Sequence, residues 1–315
     1  MNSIKIQEKN ESSSELLTIY LACHNRTSFL SDAIESLISQ SNCDFRLIIS
    51  DNSTDDKVQD FIRIHYPYLE YIRRNPFLLA DAHGNAMFKE FKTEFIMIMH
   101  DDDLLHRDFV REVKNEISSN KDYDIFATNG QFISQNGILL SRQFFYSRKL
   151  RVVTSYQEEL IAGWFSYGSL GVAPFPSYIY RSSAIKSCEC DILKYGQYAD
   201  FWLIMSLLSC GSKISWLNKR LYLYRIHDGQ DSSSISFRTY SKLKINTRIF
   251  FRKHYLSPNF TLIRLGHLLT LSNSSHSKKK IYKRLFKIKI FYLLANPVLI
   301  IRGLFSKFLL TSFLH

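Results

Sequence analysis

Acidic residues run out at Asp231: the 84 residues beyond it hold 16 Lys and Arg and no Asp or Glu. The formal charge of +12 is therefore an average, because residues 1–231 hold 25 basic against 29 acidic side chains, a net of −4. A body with that balance is not a basic nucleic-acid platform, so no nucleic-acid partner is expected. Cysteine is scarce as well. The five present are an odd number without paired metal-ligand spacing, and Cys188-x-Cys190 alone is a weak zinc signal, so reduced thiols in a cytosolic setting are expected. Long apolar runs are missing too. The uncharged run Ile290–Ile301 has 12 residues interrupted by Asn296-Pro297, short of the ~20 that cross a bilayer. The opening MNSIKIQEKNESSSE has no apolar stretch, and no secretory leader is expected.

What is there belongs to a folded enzyme. At 45% hydrophobic and 14% aromatic residues, with mean hydropathy −0.14, disorder, collagen and small disulfide scaffolds are excluded. After a disordered lead-in over 1–15, the spacing predicts strands at Leu16–Cys23, Phe45–Ser50, Leu69–Arg73 and Phe95–Met99. Helices are predicted from Ser28 with Ser28 or Thr27 as cap, and over Asp55–His65 and Ala80–Phe91. A helix Leu105–Ile117, a strand Asp124–Thr128, a helix Tyr198–Cys210 and strands Lys213–Leu217 and Arg220–Tyr224 continue the pattern. A less regular Gly130–Ser182 stretch is expected to shape a pocket on the acceptor side. Apolar strands alternating with helices of this length indicate a mostly parallel sheet covered on both faces. Ligands in such sheets bind beyond the carboxyl ends of the strands. Those ends carry His24-Asn25-Arg26, Asp51-Asn52 and His100-Asp101-Asp102-Asp103.

Three consecutive aspartates after an apolar strand raise one another's pKa unless a cation sits among them. Asp101 and Asp103 alternate on an extended chain, so both can face one magnesium or manganese ion, whose remaining positions take phosphate oxygens. The same triplet would also serve as a helix N-cap cluster. Asp200, at the start of the apolar ADFWLIMSLL, reads either as a first-turn charge or as a catalytic carboxylate. His227, in YRIH, reads as a polar strand end or a ligand.

The ordered series TIYLACHNR at 18–26, IISDNSTDD at 48–56, NPFLLADAHGN at 75–85, IMIMHDDDLLHRDF at 96–109, ADFWLIMSLL at 199–208 and YRIHDGQDS at 224–232 resembles the family 2 glycosyltransferases of the GT-A fold. The resemblance implies a Rossmann-like α/β catalytic domain over 16–232. It also implies inverting, metal-dependent transfer from a nucleotide-diphosphate sugar to a glycan or lipid-linked acceptor in O-antigen, lipopolysaccharide or capsule synthesis. Carried over to this sequence, Ala22, His24, Asn25 and Arg26 cradle the nucleotide, and Asp51 bonds the base beside Asn52. Asn85 also belongs to the nucleotide-sugar site. Asp101 and Asp103 hold Mg2+ or Mn2+, Asp102 meets the ribose or sugar, Asp200 is the base, and His227 approaches the metal or diphosphate. Ala22, His24 and Ala199 stand where the family usually has Pro, Tyr and Glu.

Residues 233–315 read as a basic helical region. Lys278–Lys289 mixes cations with Ile, Tyr, Leu and Phe, as in helices that lie on anionic bilayers. A cytoplasmic enzyme attached peripherally to the inner face of the cell membrane is expected, though the same helices could pack on the body with a solvated charged face. Two further readings stay open. A sugar-1-phosphate nucleotidyltransferase would need a Gly-rich loop where CHNR stands, and a noncatalytic membrane-interaction protein would reuse a degenerate transferase body.

Overall fold

The computed structural model describes residues 16–143, 151–154, 174–188 and 199–230. The lead-in, most of the pocket-shaping stretch and the basic region at 233–315 lie outside the described residues. β1 (Leu17–Cys23), α1 (Leu30–Ile38), β2 (Arg46–Asp51), α2 (Lys57–His65), β3 (Glu70–Arg73), α3 (Ala80–Glu90) and β4 (Phe95–His100) follow the expected alternation. In β1, Leu17, Ile19, Leu21 and Cys23 point to one face and Tyr20 to the other. In β4, Phe95, Met97 and Met99 are likewise opposed by Ile96. This period of two on strands apolar on both sides is what a sheet sandwiched between helix layers requires. α1, α2 and α4 (Phe109–Ser119) cover the first face; α3, a short helix at Ser182–Ser187 and a helix at Ala199–Ser209 cover the second.

The sheet runs β3-β2-β1-β4-β9-β6-β10-β5, where β5 is Leu104–Leu105, β6 Ile125–Ile133, β9 Ile179–Arg181 and β10 Ile214–Arg225. β7 (Leu139–Gln143) pairs with β6, and β8 (Arg151–Thr154) with β10. β1, β2, β3 and β4 pair in parallel, as do β6 and β10, whereas β9 runs antiparallel between β4 and β6. The mostly parallel α/β architecture of a GT-A fold is therefore present. Among the described residues, no helix is long and apolar enough to cross a membrane.

Three local expectations are corrected. Leu104 and Leu105 are not helical but pair with Leu223 and Tyr222, and the helix begins four residues later, at Phe109. The two strands predicted over 213–224 are one long strand, in which register shifts around Asn218–Leu221 absorb the polar residues that made the sequence look interrupted. Neither Ser28 nor Thr27 caps α1 through its side chain; Phe29 occupies the N-cap position, and the Thr27 carbonyl accepts from the Leu30 N–H.

The Ala199–Ser209 helix shows most directly how sequence positions the site. Trp202, Leu203, Ile204, Met205, Leu207 and Leu208 are all buried, so this helix is apolar around its circumference and has to sink into the core. Each such side chain contributes roughly 1.5–3 kcal/mol on burial. That anchoring leaves the acidic first turn at the end of the helix facing the sheet's carboxyl edge.

Candidate functional site

A cavity of about 950 Å³ opens beyond the carboxyl ends of β1, β2 and β4, bounded by α3, by the first turn of the Ala199–Ser209 helix and by the segment after β10. It lies where an open α/β sheet binds ligands. Its size falls within the range of small-molecule sites. Ala22, His24, Asn25, Arg26, Asn52, Asp101, Asp102, Asp200 and His227 all line it. Residues scattered over more than 200 positions are thus brought to one wall.

The chain turns immediately after His100, and this turn overrides the alternation expected of Asp101 and Asp103. Asp101 and Asp102 open onto the cavity, while Asp103, 1% exposed, turns into the protein. There Asp103 accepts from the Tyr222 hydroxyl at 2.7 Å and the Arg225 N–H at 2.9 Å. Burial, then Asp102, pushes its pKa up to about 7. The expected arrangement, Asp101 with Asp103 on the cation and Asp102 toward the ribose, is therefore replaced in the cavity wall by Asp101 and Asp102. Ligand atoms of His100, Asp102 and Asp103 nonetheless lie within 4.8 Å of one another.

Arg26 reaches into this acidic loop. Its Nη2 lies 2.6 Å from Asp101 and 3.0 Å from Asp102, and its Nη1 3.2 Å from His227 Nε2. The Gly229 N–H donates to His227 Nδ1, which leaves Nε2–H to donate to Asp102 at 3.0 Å. Asp101 also accepts from the His24 N–H. Burial works to raise the pKa of both acids. It prevails at Asp101, whereas at Asp102 His100, His227 and Arg26 together hold the carboxyl below its ordinary value.

Arg225, 1% exposed, fixes this loop from behind. Its Nε donates to the Asp102 carbonyl at 2.8 Å, Nη1 to the Gln135 carbonyl at 2.7 Å, and Nη2 pairs with Asp32 on α1 at 3.0 Å. The guanidinium lies 4.7 Å from the centre of the Phe29 ring.

The loop after β1 is tied to the loop after β2. Asn25 adopts φ 53, a left-handed conformation that asparagine tolerates. Its N–H donates to Ser53 and its side-chain oxygen accepts from the Thr54 N–H, each at 2.7 Å. Asn52 clasps the backbone of Leu78 from both sides, through Nδ2 to the carbonyl and Oδ1 to the N–H. Phe77 and Leu79, both largely exposed, form an apolar lip there.

Besides Asp103, two expected site residues are not in the cavity wall. Asp51 is wholly buried; it accepts from Tyr71, Arg73 and the Ser53 N–H, so its carboxylate is consumed in joining β2 to β3. Asn85 lies on α3, but Ala80, His83, Gly84, Met87 and Phe88 are the residues of that helix that line the cavity. Conversely, His100 and His83 line it without having been singled out. His100 was legible as the last residue of an apolar strand, whereas nothing in the sequence marked His83.

Asp200 lines the cavity and is exposed there. Burial raises its pKa, and nearby His100 partly opposes that. Burial depresses the pKa of His100 itself, but Asp102, Asp103, Asp200 and Asp101 together outweigh it and raise the value. A raised carboxyl pKa in a cleft is the environment of a proton-transferring group.

Residues 18–173 match the description Glycosyl transferase family 2. No curated protein matches the sequence. Among solved structures, the crystal structure of S. aureus TarS is similar, with TM-score 0.58 and 16% identity over 87% of this chain and 46% of that one, so the chain spans about half its length. S. aureus TarS 1-349 in complex with UDP-GlcNAc gives TM-score 0.57 and 15% identity, covering 90% of this chain and 76% of that one. The complex of the same protein with UDP gives 0.56 and 15%, covering 90% and 75%. At this identity the likeness shows a shared fold.

Proposed function

The chain carries a family 2 glycosyltransferase domain over residues 18–173, and from that premise we propose that it moves a sugar from a nucleotide-diphosphate donor to an acceptor hydroxyl in surface-polysaccharide synthesis. The observation that carries this reading is the opening of Asp200 and the Arg26–Asp101–Asp102 loop onto one cavity. The TarS complexes with UDP-GlcNAc and UDP support a uridine-type donor.

The chemistry follows from the charges. The acceptor oxygen forms a bond to the anomeric carbon as the bond from that carbon to the diphosphate oxygen breaks, and the bonding pair leaves with the diphosphate. Asp200, on the cavity wall, takes the hydroxyl proton as general base. With one carboxylate base and no protein nucleophile, this is a single displacement with inversion. Arg26 and the His24 loop face the charge that develops on the leaving diphosphate.

The donor set also fits a divalent cation. Carboxylates of Asp101 and Asp102, with the imidazole of His100 and the carboxylate of Asp103 clustered beside Asp102, are ligands suited to Mg2+ or Mn2+. His227, bonded to Asp102, stands next to that set. When bound, the ion would supply Lewis-acid stabilisation of the leaving group.

Release of nucleoside diphosphate across a panel of nucleotide sugars tests the reading. Release is expected with one donor class, to be lost in EDTA and to be restored by Mn2+ or Mg2+. Pyrophosphate-dependent formation of a nucleotide sugar, or binding without turnover of any donor, would overturn it. We assign the basic segment 233–315 to an anionic membrane surface. Full-length protein is expected to float with phosphatidylglycerol vesicles at low salt and to be released at high salt; failure to float at low salt would refute the assignment.

A further inference from the structure

The cavity has two polar ends. One is the charged loop of Arg26, Asp101 and Asp102; the other lies over the ends of β1 and β2 beneath α3, where His24, Asn52, Leu78, His83 and Met87 meet.

At the second end the hydrogen bonds among the described residues account for most polar groups. His24 Nδ1 lies 2.8 Å from the Asn52 carbonyl and its Nε2 3.2 Å from Asn25 Nδ2. The Asn52 carboxamide is spent on Leu78, and the Asp51 carboxylate on Tyr71, Arg73 and Ser53. His83 remains. It is 6% exposed, and its Nε2 lies 2.8 Å from Ser50 Oγ.

Ser50 decides which nitrogen of His83 carries the proton. The Ser50 oxygen accepts from Arg74 Nε at 3.1 Å and Nη2 at 3.0 Å, and a guanidinium only donates. With both lone pairs turned to Arg74, the hydroxyl proton points at His83 Nε2, which must accept. The ring proton therefore sits on Nδ1. Burial, reinforced by Arg74, lowers the His83 pKa to about 4, so the ring stays neutral near pH 7. No described residue accepts from Nδ1–H, and the side chain lines the cavity. This donor faces the cavity and is open to a ligand atom.

We propose that His83 reads the nucleobase of the donor, presenting Nδ1–H to a base carbonyl in a tautomer fixed by Ser50 and Arg74. The inference rests on the nucleotide-sugar reading above and deepens it. A neutral donor flanked by Leu78 and Met87 suits the edge of a flat, uncharged ring, whereas a diphosphate is drawn to Arg26 at the other end. Bases with a carbonyl oxygen offer His83 an exocyclic acceptor, whereas adenine offers only ring nitrogens, set further back in the heterocycle.

Calorimetric titration of the full chain with UDP, CDP, GDP and ADP, in the presence of Mn2+, tests this. Wild type is expected to bind at least one carbonyl-bearing nucleotide about ten-fold more tightly than ADP, the factor worth 1.4 kcal/mol. His83→Phe is expected to abolish that preference by weakening the carbonyl-bearing nucleotide and leaving ADP unchanged, and His83→Asn, which keeps a donor near Nδ1, to restore part of it. Equal affinity of wild type for ADP, or an unchanged preference in His83→Phe, would overturn the assignment. If wild type bound no nucleoside diphosphate at all, the nucleotide-sugar reading itself would fail. Nitrogen-15 chemical shifts of His83 in the wild-type protein give a readout independent of variant folding: Nδ1 is expected to be the protonated nitrogen, and a protonated Nε2 would refute the tautomer.

Discussion

Asp200→Asn is expected to lower kcat by about 10²–10⁴-fold, the range general-base catalysis contributes, while UDP affinity stays within about two-fold of wild type. The two parts separate because Asp200 sits on the Ala199–Ser209 helix, whereas the charged residues belong to the loops after β1 and β4 and His83 to α3. Asparagine matches aspartate in volume, so the buried helix that carries it keeps Trp202 and Leu203 in place. The pH profile supplies a second reading of the same role. Burial raises the Asp200 pKa, and a base works only when ionised. Wild-type kcat should therefore climb with pH through that elevated pKa and fall off below it. The variant has no carboxyl to titrate and should lose this limb. A variant that kept near-wild-type turnover, or a limb unchanged by the substitution, would remove Asp200 from the mechanism.

Arg225→Met is expected to destabilise the protein by about 3–5 kcal/mol, measured by urea denaturation. The ion pair with Asp32 is a minor part of that sum, because Asp32 is 60% exposed and a solvated pair is worth little. The larger loss comes from the buried Asp102 carbonyl, left without its donor at a cost of roughly 1–3 kcal/mol, with a smaller one from the carbonyl of exposed Gln135. Packing against Phe29 goes as well. Arg225→Lys keeps the charge but not the fork, so it should recover little of the stability. Both variants should also weaken binding of Mn2+ with UDP, because the Asp102 backbone would no longer be tied to β10. A change below about 1 kcal/mol in Arg225→Met would show that other groups hold the loop.

The repeating first half of the fold was readable because β1, β2 and β4 carry apolar runs and β1, β2 and β3 are each followed by a helix of ordinary length. Local pattern and tertiary placement agree there. Legibility failed where a neighbour in space decided the local conformation. Leu104 and Leu105 look like the start of a helix, and it is the edge of β10 that draws them into a strand. β9 is three residues long and takes its place between β4 and β6 from far along the chain, so no local periodicity announces it.

The site divides in the same way. That three strand ends share one rim could be inferred from the topology rule for parallel sheets, whereas Asp200 was brought to the site by the resemblance. Which carboxylates face the cavity could not, since the turn after His100 rotates Asp102 outward and Asp103 inward, and Tyr222 and Arg225, which anchor Asp103, are remote in sequence. Asp51 lies outside the cavity wall for a related reason. Its partners Tyr71 and Arg73 lie on the neighbouring strand and hold its oxygens.

The partners that settle the acid triplet come late. Tyr222 and the Arg225 N–H meet Asp103 across 119 and 122 positions, and His227 meets Asp102 across 125. On a ribosome adding residues from the amino end, β1 to β4 can leave the exit tunnel with three adjacent acids whose anchors have not been made. The catalytic rim is consequently the last part of the domain to acquire its shape, and a nascent chain stalled before β10 carries the parallel half of the sheet without a competent site.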